Sequence, residues 1–230
     1  MKISSQTLSL LKSFAGINPN LVIKPGNVIV TQNASSTVGA KAVVEEEFPT
    51  EAAIYDLGQL LNLLSISKES SDVEFKDNHL LIRSPSGGVL RYYYAEMAIM
   101  KQPRTDEPDF SEVFKFVLES SEMSVIQKTA SVVGATMITL ESKDGQVTLL
   151  VNSPNIQSSN SYSKVVGESS DKFMVRMAID KFRPLIDDTY EFVVGKISNP
   201  RNGAVIPAFR LNSTTKNLRY LIAAEKDARF

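Results

Sequence analysis

The same order of predicted elements runs through this chain twice, and that duplication limits its folds more than any other feature. The first pass opens with a helix over about Ser4–Ala15, where Thr7, Leu10, Leu11, Phe14 and Ile17 share one face at helical spacing. Strands follow near Leu21–Lys24, Asn27–Gln32, Thr37–Val44 and Glu51–Tyr55. Asp56 is placed to cap a helix whose buried stripe is Leu57, Leu60, Leu61 and Leu64. Strands near Asp72–Lys76, Leu80–Arg83 and Val89–Tyr94 close this pass, with Gly87-Gly88 as a hairpin turn.

The second pass repeats the plan. It has a strand at Val113–Leu118 and a helix at Ser120–Val133 with a stripe of Val125, Ile126, Thr129 and Val133. Strands follow at Met137–Glu141, Gln146–Val151, Ser161–Val166 and Phe173–Met177. Asp180 occupies the capping place of Asp56, before a short helix to Leu185. Strands at Tyr190–Val194, Val205–Leu211 and Leu218–Ala223 end the pass. The stretch between carries Pro103 and Pro108 and reads as an extended linker. The expected class is α+β, in two similar domains of two helices each on antiparallel sheet: residues 1–95, a connector 96–110, and 111–230.

Composition removes several kinds of chemistry. With 230 residues there is room for two such domains. Cysteine is absent, which excludes disulfides, thiolate catalysis and Cys–zinc sites. The single histidine, His79, lies at a turn entering a strand, so a Ser-His-Asp triad has only a turn residue for its base. Neither a Walker A motif nor Gly-x-Gly-x-x-Gly occurs. Carboxylate pairs at Asp187-Asp188, Glu45–Glu47 and Asp106-Glu107 leave a carboxylate hydrolase open, though all lie in polar, turn-like stretches. No cofactor or metal is expected. No run approaches the roughly 18–20 apolar residues of a membrane helix, and the N-terminus lacks a signal-peptide core. The expectation is a soluble cytoplasmic chain.

The net charge is -1, which excludes a simple polybasic binder, but the charges are segregated. From Met1 to Val44 there are lysines (Lys2, Lys12, Lys24, Lys41) and no acid. Acids collect at Glu45–Glu47, Glu69–Glu74, Asp106–Asp109 and Asp187–Glu191. Away from its apolar stripe, the first helix shows Ser5, Ser9, Lys12 and Gly16, and the third shows Ser121, Ser124, Lys128 and Ser131. The second shows Gly58, Gln59, Asn62 and Ser65 with Lys68 beyond, and the fourth Lys181 and Arg183. Small polar groups with dispersed lysines suit a loose contact with phosphate. Plain solvated helix faces explain the same spacing, so the pattern alone leaves both readings open.

The opening Met1–Ser4 and Leu10–Asn18, the run Ala53–Leu57 into Leu60–Ser65, and the end Gly203–Val205, Asn217–Glu225 and Asp227–Phe230 resemble the sliding clamps of large tailed bacteriophages. The resemblance spans essentially the whole chain, with Val89–Val117 and Asn152–Ser170 matching only in pattern. It implies a PCNA-like DNA-clamp fold and a closed homotrimeric ring around duplex DNA. It also implies a non-enzymatic processivity factor for a DNA polymerase, opened by an ATP-dependent clamp loader and serving late-transcription factors, in the cytoplasm of an infected host. On this resemblance Lys12, Lys128, Lys181 and Arg183 face the DNA. Ring closure pairs Val89–Tyr94 of one copy with Ser161–Val166 of the next, through Leu90, Tyr92, Tyr94, Tyr162 and Lys164. Ile99, Met100, Pro207, Leu221 and Ala223 form a pocket for partner peptides. The alternative from another class is a non-enzymatic β-rich structural or assembly protein whose duplication serves only symmetry.

Overall fold

In the computed structural model the described residues are 1–66, 72–104, 108–156, 158–198 and 203–230. Lys68, Asp106 and Glu107 lie outside them. The chain divides into two compact units, Met1–Thr105 and Asp106–Phe230.

The first unit opens with α1 (Ser5–Ile17), capped by Ser4, whose hydroxyl oxygen accepts from the Thr7 N–H at 3.1 Å. Strands β1 (Leu21–Ile23), β2 (Gly26–Gln32), β3 (Val38–Phe48) and β4 (Ala52–Ile54) follow. β1 pairs antiparallel with β4, and β2 with β3. Asp56 caps α2 (Leu57–Ile66) as expected, taking the Gln59 N–H at 2.8 Å. Next come β5 (Asp72–Phe75), β6 (His79–Arg83) and β7 (Val89–Tyr93), a three-stranded antiparallel sheet in that order. The expected stripes are buried: Leu10, Leu11 and Phe14 on α1, and Leu57, Leu60, Leu61 and Leu64 on α2. Each such side chain contributes about 1.5–3 kcal/mol on burial.

The acidic run Glu45–Glu47 is not a solvated cluster throughout. It lies on β3, whose alternation exposes Glu45 and Glu47 and buries Glu46. Glu46 accepts from the Ser4 N–H and the Thr7 hydroxyl, tying β3 to the start of α1. Burial pushes its carboxyl up, but these hydrogen bonds outweigh burial and hold it below its ordinary value. The anion also faces the positive end of α1. Glu46→Gln replaces one acceptor oxygen with a donor against the same groups. We expect a loss of about 1–3 kcal/mol, with faster amide exchange in the first turns of α1 as the measurement.

The stretch after β7 is not a free linker along its whole length. The Ala95 N–H donates to the Ala53 carbonyl at 2.9 Å, and a 3-10 turn forms at Met97–Ile99. Met100 buries against Val22 and Ala53, with Ala95 and Met97 beside them. The apolar residues decide the outcome: they gain more by packing on their own unit than by solvation.

The second unit has β8 (Asp109–Leu118), α3 (Ser120–Val132), β9 (Met137–Lys143), β10 (Gln146–Asn152), β11 (Tyr162–Glu168), β12 (Met174–Ala178), α4 (Ile179–Phe182), β13 (Tyr190–Ser198), β14 (Val205–Ser213) and β15 (Leu218–Ala223). Strands β11, β10, β9 and β12 form one antiparallel sheet in that order, and β15, β14, β13 and β8 pair side by side. The turn at Asp144-Gly145 has both residues at positive φ, as a tight hairpin needs.

Two expectations fail in this unit. On α3 the buried residues are Met123, Ile126 and Ala130, while Val125 is 44% exposed. The helix is fixed at its start by a capping box between Glu119 and Glu122 and by Asp187, which accepts from the Ser120 and Ser124 hydroxyls. Those anchors turn Met123 inward. On α4 the capping residue is Ala178, so Asp180 sits in the first turn instead of at the cap. There it pairs with Arg183 at 3.3 Å, both side chains exposed.

Candidate nucleic-acid interface

The outward faces of α1 and α3 match the sequence reading most closely. On α1, Ser5, Ser9, Lys12 and Gly16 are all exposed. On α3, Ser121, Lys128 and Ser131 are exposed, whereas Ser124 is held by Asp187 at 2.6 Å. Neither Lys12 nor Lys128 pairs with a carboxylate among the described residues. α2 shows Gln59, Asn62 and Ser65 to solvent and carries no charge.

Lys181 does not join Lys12 and Lys128. Its ammonium donates to the Glu225 carboxylate at 2.7 Å and the Ala223 carbonyl at 3.0 Å, and its side chain is half-buried. A lysine neutralised in this way offers little to phosphate. Arg183 stays exposed, and its pair with Asp180 is a surface contact worth at most about 1 kcal/mol. The helix-face charge free for an anion therefore lies on Lys12 and Lys128, with Arg183 partly screened.

The two strands named for ring closure are both sheet edges. β7 pairs only with β6, and β11 only with β10. The opposite edges of the same sheets are covered. Met1 exchanges backbone hydrogen bonds with Val73 on β5, and Arg229 does so with Met174 on β12. Among the described residues, β7 and β11 are thus the bare edges of these two sheets. An uncovered edge is a template for another strand.

The side chains on β7 divide differently from the sequence reading. Val89, Arg91 and Tyr93 point to solvent, Leu90 is half-buried and Tyr92 is buried. The Tyr92 hydroxyl exchanges hydrogen bonds with the Asp56 backbone at 3.0 and 3.1 Å, so Tyr92 belongs to the core of its unit. Tyr94 is half-buried; its hydroxyl meets no partner among the described residues, and burial pushes it up to about 12. On β11, Val165 is 52% exposed, Tyr162 is half-buried and Lys164 is paired with Glu122. The signal that finds the outer face is Arg91: period-two alternation from a charged residue puts Val89 and Tyr93 on its side.

Of the residues named for a partner pocket, Ile99 is 62% exposed and Met100 is core. Pro207 on β14, and Leu221 and Ala223 on β15, are half-buried. His79 heads β6 and leans on Tyr93 with ring centroids 5.5 Å apart. Asp188 and Asp187 do not make a hydrolytic pair. Asp188 is 5% exposed and bonded to Ser213, Thr215, Lys216 and the Thr189 N–H, while both Asp187 oxygens hold serine hydroxyls. No cluster of three or more His, Asp or Glu side chains suited to a metal occurs among the described residues. None of their helices is long and apolar enough to cross a membrane.

A family model described as DNA polymerase processivity factor matches residues 3–86. The sliding clamp of Vibrio phage KVP40 is 26% identical over 166 residues, covering 71% of this chain and 75% of that protein. In sequence the chain is similar to the phage sliding clamps. The sliding clamp of Enterobacteria phage T4 is 22% identical over 193 residues, covering 80% of this chain and 84% of that one. In fold, the chain is similar to the proliferating cellular nuclear antigen of Entamoeba histolytica, with a TM-score of 0.64, 14% identity, and coverage of 95% of this chain and 94% of that one. The architecture is therefore the α+β clamp fold, with antiparallel sheets and few helices.

Proposed function

We propose that this chain is a sliding clamp: three copies close head to tail around duplex DNA and tether a replicative DNA polymerase. The observation that carries the reading is the pair of bare edges, β7 in the first unit and β11 in the second. A contact between two different edges is heterologous, and heterologous contacts that close make rings. The second support is chemical. Lys12 and Lys128 stand among small polar side chains on helix faces, which suits sequence-independent contact with phosphates. The clamp contributes no chemistry. It raises the local concentration of the enzyme at the primer, as a tether does. Opening falls to an ATP-driven loader, and late-transcription factors are further partners, in the cytoplasm of the infected host. Ile99, Pro207, Leu221 and Ala223 remain the proposed contacts for partner peptides.

The test combines mass and retention. The native mass across a dilution series is expected to be three times the 25.3 kDa chain. Lys12→Ala with Lys128→Ala should leave that mass unchanged. The same variant should reduce loader-dependent retention on nicked circular DNA by about tenfold and flatten its salt dependence. Unchanged retention at every salt concentration would remove these lysines from the DNA contact. A chain that stays monomeric when concentrated would remove the ring.

A further inference from the structure

Each bare edge strand is tied to the start of a helix in its own unit. In the first unit, the Tyr92 hydroxyl on β7 accepts from the Asp56 N–H at 3.0 Å and donates to the Asp56 carbonyl at 3.1 Å, and Asp56 caps α2. In the second unit the tie is ionic. Lys164 on β11 pairs with Glu122 in the first turn of α3. The Glu122 carboxylate has two tasks. One oxygen accepts from the Glu119 N–H at 3.1 Å and closes the capping box, and the other takes the Lys164 ammonium.

Strand parity brings the two charges together. Tyr162, Lys164 and Val166 alternate with the exposed Ser163 and Val165, and Lys164 stands opposite the buried Leu149 of β10. α3 packs on β10, so Lys164 lies on the face of the sheet that this helix covers. Two other groups hold the start of α3. Asp187 accepts from the Ser120 and Ser124 hydroxyls, and the Thr189 hydroxyl oxygen takes the Ser120 N–H at 3.2 Å. Both belong to the connection between α4 and β13. Of these anchors, Lys164 alone stands on a strand that ring closure would pair. Pairing β11 with another copy fixes its backbone, so Lys164 then meets Glu122 at a smaller entropy cost.

We propose that Lys164 and Glu122 are positioning residues that couple ring closure to the seating of α3, and with it to the direction of Lys128. The inference rests on the clamp reading and adds a linkage to it. Coupling between two binding events is reciprocal, so phosphate held at Lys128 also strengthens the contact between copies. Both side chains are partly in water, at 36% and 27% exposure, which limits the effect to about threefold.

The test is amide exchange in the full-length protein above and below the concentration at which copies dissociate, with native mass recorded on the same samples. The Glu122 and Met123 N–H groups both donate to the Glu119 carbonyl at 2.9 Å, and their exchange is expected to slow about threefold on assembly. Lys164→Met removes the charge and keeps most of the stem. Glu122→Gln keeps the capping box, because glutamine also accepts from the cap N–H. It leaves the edge strand's own residues unaltered, so it reads the coupling even where Lys164→Met weakens assembly. Either substitution should abolish the slowing in samples that are trimeric by mass, the two together should do no more than one, and Lys164→Arg should restore it. A short linear duplex should tighten the parent ring about threefold and the Glu122→Gln ring not at all. Equal exchange in trimer and monomer of the parent, or a slowing that survives both substitutions, overturns the proposal and leaves the ring standing. A parent that never forms a trimer overturns the clamp reading and this inference together, so the two failures are distinguishable.

Discussion

Placing a charge on the bare edge of β11 or β7 should take the assembly apart while leaving each copy folded. Val165→Asp and Tyr93→Asp are the informative substitutions. Both side chains are already in water in the single chain, at 52% and 64% exposure, so neither change disturbs its own core. In a closed ring both would lie at or beside a strand–strand contact, where an unpaired carboxylate is costly to desolvate. We expect the dissociation constant between copies to rise by on the order of 100-fold, about 2.8 kcal/mol. The double variant should elute at the mass of one 25.3 kDa chain. Its circular dichroism and unfolding midpoint should stay near those of the parent measured under monomeric conditions. Tyr92→Ala serves as the contrast. It removes a buried ring and two hydrogen bonds to Asp56, so it should lower the stability of the first unit before it touches assembly.

That contrast shows how far the sequence reaches. The aromatic run Arg91–Tyr94 marks a strand, and its position marks an edge. What it does not mark at first sight is the face, because tyrosine is at home in a core and on a surface alike. A shift of one residue exchanges every inward side chain for an outward one. The charged Arg91 was the available clue to the phase. The helices behave similarly. Leucine at 57, 60, 61 and 64 leaves one possible buried stripe, and α2 follows it. α3 mixes Met, Val, Ala and Thr at competing spacings, so its rotation is set by partners distant in sequence, chiefly Asp187.

Lysines divide along the same line. Lys12 and Lys128 sit within their helices, exposed and with no carboxylate partner among the described residues. Lys181 is drawn to Glu225, 44 residues away, and no periodicity within α4 reports that contact. Glu46 is the mirror case: a strand parity that buries one glutamate of three, rescued by donors from the start of α1. Charge counts along a sequence describe which signs are present. Pairing across the fold decides which of them remain available to a ligand.

Asp188 is a buried carboxylate with several donors gathered on it. Its carboxylate holds the β14–β15 turn through the Ser213 and Thr215 hydroxyls at 2.6 and 2.7 Å and the Lys216 ammonium at 3.0 Å. Burial pushes the carboxyl up, yet hydrogen bonds from Ser213, Thr215, Lys216 and the Thr189 N–H outweigh it and leave the group below its ordinary value. Asp188→Asn removes the charge and puts an amide donor against these donors. At neutral pH the loss should be about 2–4 kcal/mol, seen as a fall in the unfolding midpoint on the order of 5–10 °C. The pH dependence follows from the direction of the shift. A carboxyl whose native value lies below its unfolded value of about 3.9 stabilises fully above that value. The contribution fades as pH falls through the depressed native value. The stability gap between parent and Asp188→Asn should therefore be constant from neutral pH down to about pH 5 and close below about pH 4. Glu46, also held below its ordinary value, titrates in both proteins and cancels from that difference. A gap that persisted unchanged in strong acid would mean that the asparagine fails by shape and not by charge.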